Sequence, residues 1–229
     1  MQINIPTNRQ KAVLWDLDGT IVDSAPYHKL AWRDTFNRHG MDFTEEKYRF
    51  TLGRRNKEII RRYIGTNLSE QEVNAIAEQK EESFRAYIKD CIQPFPQVVE
   101  IINAMAAAEF KLAIVSSATI ENIRLITGAL YINTLFDVFI TGRDVTEGKP
   151  CPQGFLTAAD RLGVQPRNCV VIEDAAAGVS AAKSGGMYCI AVTNTCSRKD
   201  LAAADVIVDR LDEVSFELTY SGKDHIISS

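Results

Sequence analysis

Residues 12–20 read Ala12-Val13-Leu14-Trp15-Asp16-Leu17-Asp18-Gly19-Thr20, an apolar β-prone run that ends in two carboxylates and a glycine. An uninterrupted apolar start is the pattern of a strand buried on both faces. Further runs of this kind follow at 112–115, 138–140, 169–172, 189–192 and 206–208, each closing in polar residues. Between the later ones lie helical patterns at 98–108, 120–129, 153–162 and 175–184, with Gly163 and the Gly185-Gly186 pair placed to stop two of them. This alternation predicts an α/β fold: a doubly wound parallel sheet covered by helices on both faces.

The interval 25–92 breaks the rhythm. It holds helical patterns at 27–39, 45–51, 57–64 and 69–89 and no convincing strand, so it is expected to be a helical insertion after the first strand. Pro94 and Pro96, flanking Phe95, mark the return to the α/β core, because proline fits neither a helix interior nor a central strand. The expected organisation is a core of 1–24 plus 93–229 and a helical cap of 25–92. The tail beyond Glu217 is polar and is expected to fray.

Composition narrows the partners. A chain of 229 residues suits one large domain with an insertion, and 45% hydrophobic with 24% charged residues excludes collagenous and disordered classes. The 26 Lys and Arg against 30 Asp and Glu leave a net charge of -4, which gives no general attraction to nucleic acid or anionic lipid. No apolar run approaches the roughly 20 residues that span a bilayer, and the first ten residues are polar. These features predict a cytoplasmic monomer that acts on a small molecule, with neither nucleic acid nor membrane as partner. Cys91, Cys151, Cys169, Cys189 and Cys196 show no CxxC pairing and read as reduced thiols. His28, His39 and His225 are too scattered for a zinc site.

Asp16 and Asp18, two apart on an extended chain, point the same way with Cα atoms roughly 6.5 Å apart. At the carboxyl end of a parallel strand such a pair can hold a hard cation and offer a nucleophile. Taken alone, the sequence Asp-Leu-Asp-Gly is equally a turn signature. The run 112–115 ends in Ser116-Ser117-Ala118, the run 169–172 ends in Glu173-Asp174, and Lys149 lies in a loop between them. Open parallel sheets bind ligands beyond the carboxyl ends of their strands, so these segments can converge on one crevice. Two acidic pairs, a hydroxyl and a lysine are what a divalent cation and a phosphoryl group together require.

With Asp16-Leu17-Asp18-Gly19-Thr20, Ser116, Lys149-Pro150 and Glu173-Asp174-Ala175-Ala176-Ala177-Gly178 in that order, the chain resembles the haloacid dehalogenase superfamily over roughly 11–211. The insertion after the first motif resembles the cap of the β-phosphoglucomutase and sugar-phosphate phosphatase subgroup, as does Asp23-Ser24-Ala25-Pro26-Tyr27-His28 leading into it. The resemblance implies a Rossmann-like core in which Asp16 is the nucleophile that becomes an aspartyl phosphate and Asp18 is the general acid and base. It implies Mg2+ held by Asp16, the main-chain carbonyl of Asp18 and Asp174, with Glu173 assisting. Ser116 and Lys149 would bind phosphoryl oxygens, with Ser117 and Ala118 beside the substrate.

The cap is where the resemblance divides. Mutases of the subgroup carry a Lys-Gly pair with an Arg three residues after the Gly, which grip a distal phosphate. Here Leu52-Gly53-Arg54-Arg55-Asn56 stands at that place, so Leu and Asn replace the two cations, and Arg54 or Arg55 either reaches the same phosphate or is a solvated helix face. A Mg2+-dependent phosphatase of a small phosphorylated metabolite, a sugar phosphate in type, is therefore expected over a phosphosugar mutase. A phosphonate hydrolase would need a Schiff-base lysine, and none of Lys29, Lys47, Lys57, Lys80 and Lys89 is singled out by sequence. A phospho-receiver domain leaves the 68 residues of 25–92 unexplained. His28 is either an ordinary helix histidine or a group near the hinge that couples cap closure to Asp18.

Overall fold

The computed structural model describes residues 2–4, 12–51, 54–213, 215–220 and 223–227, with side chains described over 12–51 and 54–213. Nine strands are described: β1 Gln2–Asn4, β2 Ala12–Trp15, β3 Lys111–Val115, β4 Val138–Ile140, β5 Cys169–Glu173, β6 Tyr188–Val192, β7 Val206–Val208, β8 Ser215–Tyr220 and β9 Lys223–Ile227. Eight α-helices accompany them: α1 Ala25–Arg38, α2 Glu45–Thr51, α3 Asn56–Ile59, α4 Glu70–Ile88, α5 Val98–Ala107, α6 Ile120–Ala129, α7 Gln153–Leu162 and α8 Ala176–Ser184. A π-helical turn, Ile60–Ile64, continues α3.

Six strands form one parallel sheet in the order β4-β3-β2-β5-β6-β7. The apolar run 12–15 is central because both of its faces are buried. Val13 and Trp15 join a cluster with Ile102, Ile123 and Val170 on one side, while Ala12 and Leu14 join Phe155, Ala158 and Val179 on the other. Because β2 lies between β3 and β5, the strand order reverses at its carboxyl end, and the crevice opens there. The tail expected to fray instead forms β8 and β9, which pair antiparallel, with β1 parallel to β8. Backbone pairing satisfies these segments despite their polar side chains, a tertiary effect that local composition does not carry.

Helices α1 to α4 occupy the interval between β2 and β3, and they bury their own cluster of Trp32, Phe36, Ile59, Ile60, Val73 and Ile76. The helix that ends this interval starts on a capping box, in which Ser69 accepts from the Glu72 amide and Glu72 accepts from the Ser69 amide. The two connections run side by side, since Val22 bridges Pro94 and the Phe95 amide donates to the Ile21 carbonyl at 3.0 Å.

The helical segment also docks on the core through polar groups. Glu81 of α4 is buried, and its carboxylate accepts from Asn122 of α6 at 2.7 Å, from Asn56 at 2.6 Å and from Lys80 at 2.9 Å. Burial opposes ionisation of Glu81, but the charges of Lys80 and His28 and these bonds outweigh it and hold its carboxyl down to about 2. The folded value lies below the unfolded one, so the resulting stability is present above about pH 4.5 and is lost as pH falls toward 2. Glu81→Gln should lower the urea unfolding free energy at pH 7 by about 1–3 kcal/mol. Its decline between pH 4.5 and pH 2 should be shallower than in the parent protein, and parallel acid limbs in the two proteins would refute the assignment.

Candidate active site

Each acidic residue of the crevice owes its place to a strand end. Asp16 follows the last residue of β2, where its amide still donates to Ile172 of β5 at 3.0 Å. Glu173 closes β5 and Asp174 follows it, both buried. Ser116 follows β3, its amide donating to Ile140 of β4 at 3.0 Å, and it too is buried. Lys149, from the loop between β4 and α7, reaches across all of them. Its Nζ donates to Asp16 Oδ1, to Glu173 Oε1 at 2.6 Å and to the Val115 carbonyl at 3.0 Å.

That ammonium bridges two buried carboxylates, and the electrostatics follow. Burial works against the charged form of Lys149, but Asp16 and Glu173 overcome it and push its pKa up. Burial likewise pushes the Asp16 carboxyl well above the usual range. Lys149 pulls the other way, while Glu173 and Asp174 add repulsion. Burial raises Asp174 to about 7, reinforced by the charge of Glu173 and opposed by bonds from Thr195 and Thr20. The crevice is a desolvated site in which negative charge exceeds the one ammonium facing it.

Backbone approach fixes the carboxylates. Gly19 has φ +88, and a Cβ there would stand 2.0 Å from Asp174 Oδ2, so only glycine lets the turn after Asp18 pass over Asp174. Glu173 Oε2 accepts from the Asp174 and Ala175 amides, both at 2.9 Å, and a Cβ at Gly178 would stand 1.7 Å from Glu173 Oε1. Ser116 Oγ accepts from the Ala118 amide at 3.0 Å, which orients the hydroxyl at the strand end.

Asp18 sits on the side of the helical segment, its side chain 27% exposed. Its Oδ1 accepts from Ser24 Oγ at 2.5 Å and meets His28 Nε2 at 3.4 Å. Burial would raise its pKa, but the His28 bond and charge, the Ser24 bond and the charge of Lys80 hold it below the usual value. His28 stacks on Phe84 with centroids 3.9 Å apart, and its Nδ1 lies 2.8 Å from Lys80 Nζ. Lys80, one of five lysines that sequence could not tell apart, is 2% exposed and lies under Trp32 and Phe84.

The other expected residues are spread more widely. Leu52 and Gly53 lie outside the described residues. Arg54 is exposed, faces Glu58 at 3.7 Å and lies over the Phe50 ring. Arg55 donates to the Thr146 carbonyl at 2.9 Å and lies flat on Gly148. Asn56 is turned to Glu81. A crevice of 640 Å³ runs between the segments, lined by Arg54, Arg55, Ser117 and Lys149 among others. Sequence reading missed Thr20, Asn194 and Thr195. Thr20 donates to Asp174 Oδ1 at 3.2 Å, and Asn194 donates to the Gly19 carbonyl at 2.8 Å. The place of Asn194 and Thr195 just past β6, at the same edge as Ser116 and Glu173, was the available signal.

Fold and site together define an α/β enzyme that works in an acidic crevice at the strand-order reversal. A family profile described as haloacid dehalogenase-like hydrolase matches residues 10–186. The chain is 33% identical over 208 residues to validoxylamine A 7'-phosphate phosphatase of Streptomyces hygroscopicus subsp. limoneus, covering 89% of this chain and 95% of that one. It is 29% identical over 217 residues to β-phosphoglucomutase of Bacillus subtilis, covering 92% and 94%. The crystal structure of β-phosphoglucomutase from Clostridium difficile superposes with a TM-score of 0.79 at 28% identity, over 89% of this chain and 92% of that one. The protein belongs to the haloacid dehalogenase-like hydrolases and is an enzyme of the phosphatase class.

Gly178→Ala should displace the Glu173 carboxylate from Lys149 by the overlap of its new methyl group. Turnover of an aryl phosphate should fall about 100-fold, the size of effect expected from misplacing a site by 1 Å, with the far-ultraviolet circular dichroism unchanged. Near-parental turnover would show that Glu173 does not position Lys149.

Proposed function

We propose that the protein is a Mg2+-dependent phosphatase that hydrolyses a small phosphorylated metabolite, a sugar phosphate, through an aspartyl phosphate on Asp16. The observation that carries this reading is the Lys149 ammonium on Asp16 Oδ1 with Ser116 and Glu173-Asp174 around it. A free Asp16 oxygen attacks phosphorus, and Lys149 offsets the repulsion between that anion and the anionic substrate. The protonated form of Asp18 gives its proton to the leaving alkoxide. In the second half its carboxylate, held in that form by Ser24 and His28, takes a proton from the water that attacks the phosphoenzyme, releasing phosphate and restoring Asp16.

The donor set suits magnesium. Among the described residues no three His, Cys, Asp or Glu side chains form a ready-made cage, and Mg2+ commonly uses one or two carboxylates with substrate oxygens and water. Asp16, Asp174 and the Asp18 carbonyl would hold it, since both oxygens of Glu173 are engaged by Lys149 and two amides. Burial, reinforced by neighbouring carboxylates, raises Asp16 and Asp174, and a cation there would offset both effects. When bound, it supplies charge neutralisation for the phosphoryl oxygens.

Residues 25–92 act in this reading as a cap over the core of 1–24 and 93–229, with hinges near 22–25 and 92–96. Water is favoured as acceptor over a returning sugar because Asn56, where mutases carry an Arg, is neutral and turned to Glu81, although Arg55 bonds Thr146 through Nη1 alone and keeps Nη2 unpaired among the described residues. The phosphatase relative supports hydrolysis, and the mutase relative keeps isomerisation as the alternative. All five cysteines are free, which supports a reducing, cytoplasmic setting, and no described helix is long and apolar enough to cross a membrane.

A panel of phosphate esters with Mg2+, including β-glucose 1-phosphate with a trace of its bisphosphate, tests the reading. Free phosphate should dominate, EDTA should abolish its release and added Mg2+ restore it. Rapid glucose 6-phosphate formation with little free phosphate would make the protein a mutase. Asp16→Asn should lower turnover by about 10³-fold or more, and phosphate trapped on any other residue would overturn the assignment.

A further inference from the structure

Between Asp18 and the core helix α6 runs a string of polar groups, half-buried at Asp18 and His28 and buried at Lys80, Glu81 and Asn122. Its first members lie beside the reacting groups. Its last two lie on facing elements, Glu81 on α4 and Asn122 on α6. Asn122 is 1% exposed, and both ends of its amide are used: Nδ2 donates to Glu81 Oε2 at 2.7 Å, and Oδ1 accepts from Arg85 Nη1 at 3.1 Å. Glu81 Oε1 meanwhile gathers Asn56 from α3 and Lys80 from its own helix. One carboxylate thus ties two helices of the 25–92 segment to each other and to the core.

We propose that Glu81, clamped by Asn122, is a positioning residue: it locks the helical segment on the core and holds Lys80 against His28, and so places Asp18 for proton transfer. This rests on the reading of Asp18 as acid and base and adds the means by which closure reaches it. Glu81 lies beyond contact with the reacting atoms and acts through Lys80 and His28. A buried lysine needs only one carboxylate to satisfy its charge, and that need is met within α4. The bond to Asn122 adds nothing to it. What the Asn122 bond supplies is registry between the segment and α6, because an amide between a carboxylate and a guanidinium fits only with Oδ1 toward Arg85 and Nδ2 toward Glu81. If the segment swings away, the string breaks at that point and Lys80 and His28 leave Asp18 together.

The variants are Asn122→Ala, which removes the clamp and leaves the Glu81–Lys80–His28 contacts intact, and Asn122→Asp, which sets a second carboxylate against Glu81. The combination of Asn122→Asp with Glu81→Gln reverses the polarity of the pair and restores a donor facing an acceptor. Turnover of the best phosphate ester of the parent enzyme is measured per folded molecule, well below the melting temperature. Small-angle scattering gives the radius of gyration of the same samples without reference to activity. We expect kcat to fall about tenfold in Asn122→Ala and further in Asn122→Asp, with KM for a small aryl phosphate changed less than about threefold. The radius of gyration should rise in Asn122→Asp and return toward the parent value in the combined variant, whose kcat stays low because Glu81→Gln takes the charge away from Lys80. A purely structural bond would lower the melting temperature and leave kcat per folded molecule and the radius unchanged, and that result overturns the proposal. If the parent turns over no phosphate ester, the phosphatase reading fails, and the clamp is then decided by the scattering alone.

Discussion

The Lys149 ammonium is the contact on which the rest of the crevice depends. It takes its place from three strand ends at once, through Asp16 after β2, the Val115 carbonyl in β3 and Glu173 in β5. Removing an ion from water costs several kcal/mol even after the protein relaxes. A lysine 15% exposed beside carboxylates 11% and 1% exposed is therefore tolerated only while the pairing holds. The pairing is incomplete by design of charge: Asp16, Glu173 and Asp174 face a single ammonium. Burial raises the pKa values of Asp16 and Asp174, and repulsion from neighbouring carboxylates adds to it. In the proposed reading a bound cation would offset that imbalance, so metal binding and substrate binding would share one electrostatic condition.

Glycine is the second constraint, and it follows from the first. Carboxylates drawn inward to a buried lysine need the chain to pass close by. Gly19 over Asp174 and Gly178 against Glu173 provide the two places where a Cβ would occupy the space of a carboxylate oxygen. The Asp-Gly of the first motif and the Gly after Glu173-Asp174 are thus packing requirements of the charge cluster as much as turn signals.

This explains what could be read in advance. A strand buried on both faces must be apolar along its whole length, so 12–15, 112–115 and 169–172 declared themselves, and the polar residues that end them had to lie at one edge of one sheet. Asp16, Ser116, Lys149, Glu173 and Asp174 were legible for that reason. Lys80, Glu81 and Asn122 were not, because each sits inside a helix, where neighbours in space are far apart in the chain: Asn122 meets Glu81 across 41 residues and Lys80 meets His28 across 52. Gln79-Lys80-Glu81-Glu82 looks like a solvated helix face, and Lys80 and Glu81 became buried only because α4 packs between α1 and α6. β8 and β9 escaped for a related reason, since their order comes from backbone partners at the other end of the chain.

In the proposed reading the segment 25–92 opens to admit substrate, so its contacts with the core bear on how firmly it is held. Polar ones include Glu81 and Arg85 with Asn122, Arg55 with Thr146, and Glu78 with Arg143 at 3.9 Å. A hydrogen bond to a charged group contributes about 1.5–3 kcal/mol net when buried, and the exposed pair Arg143–Glu78 contributes less than about 1 kcal/mol. The segment has an apolar cluster of its own, while Tyr27, Ala31, Phe84, Tyr87, Ile88 and Ile92 pack into the main cluster of the sheet. In the proposed reading, opening would trade these polar bonds for bonds to water, a motion of the microsecond to millisecond class. In that reading the apolar residues beside the connections hold the segment to the core, while the polar contacts farther out fix its orientation over Asp18 and can be remade with water when the product leaves.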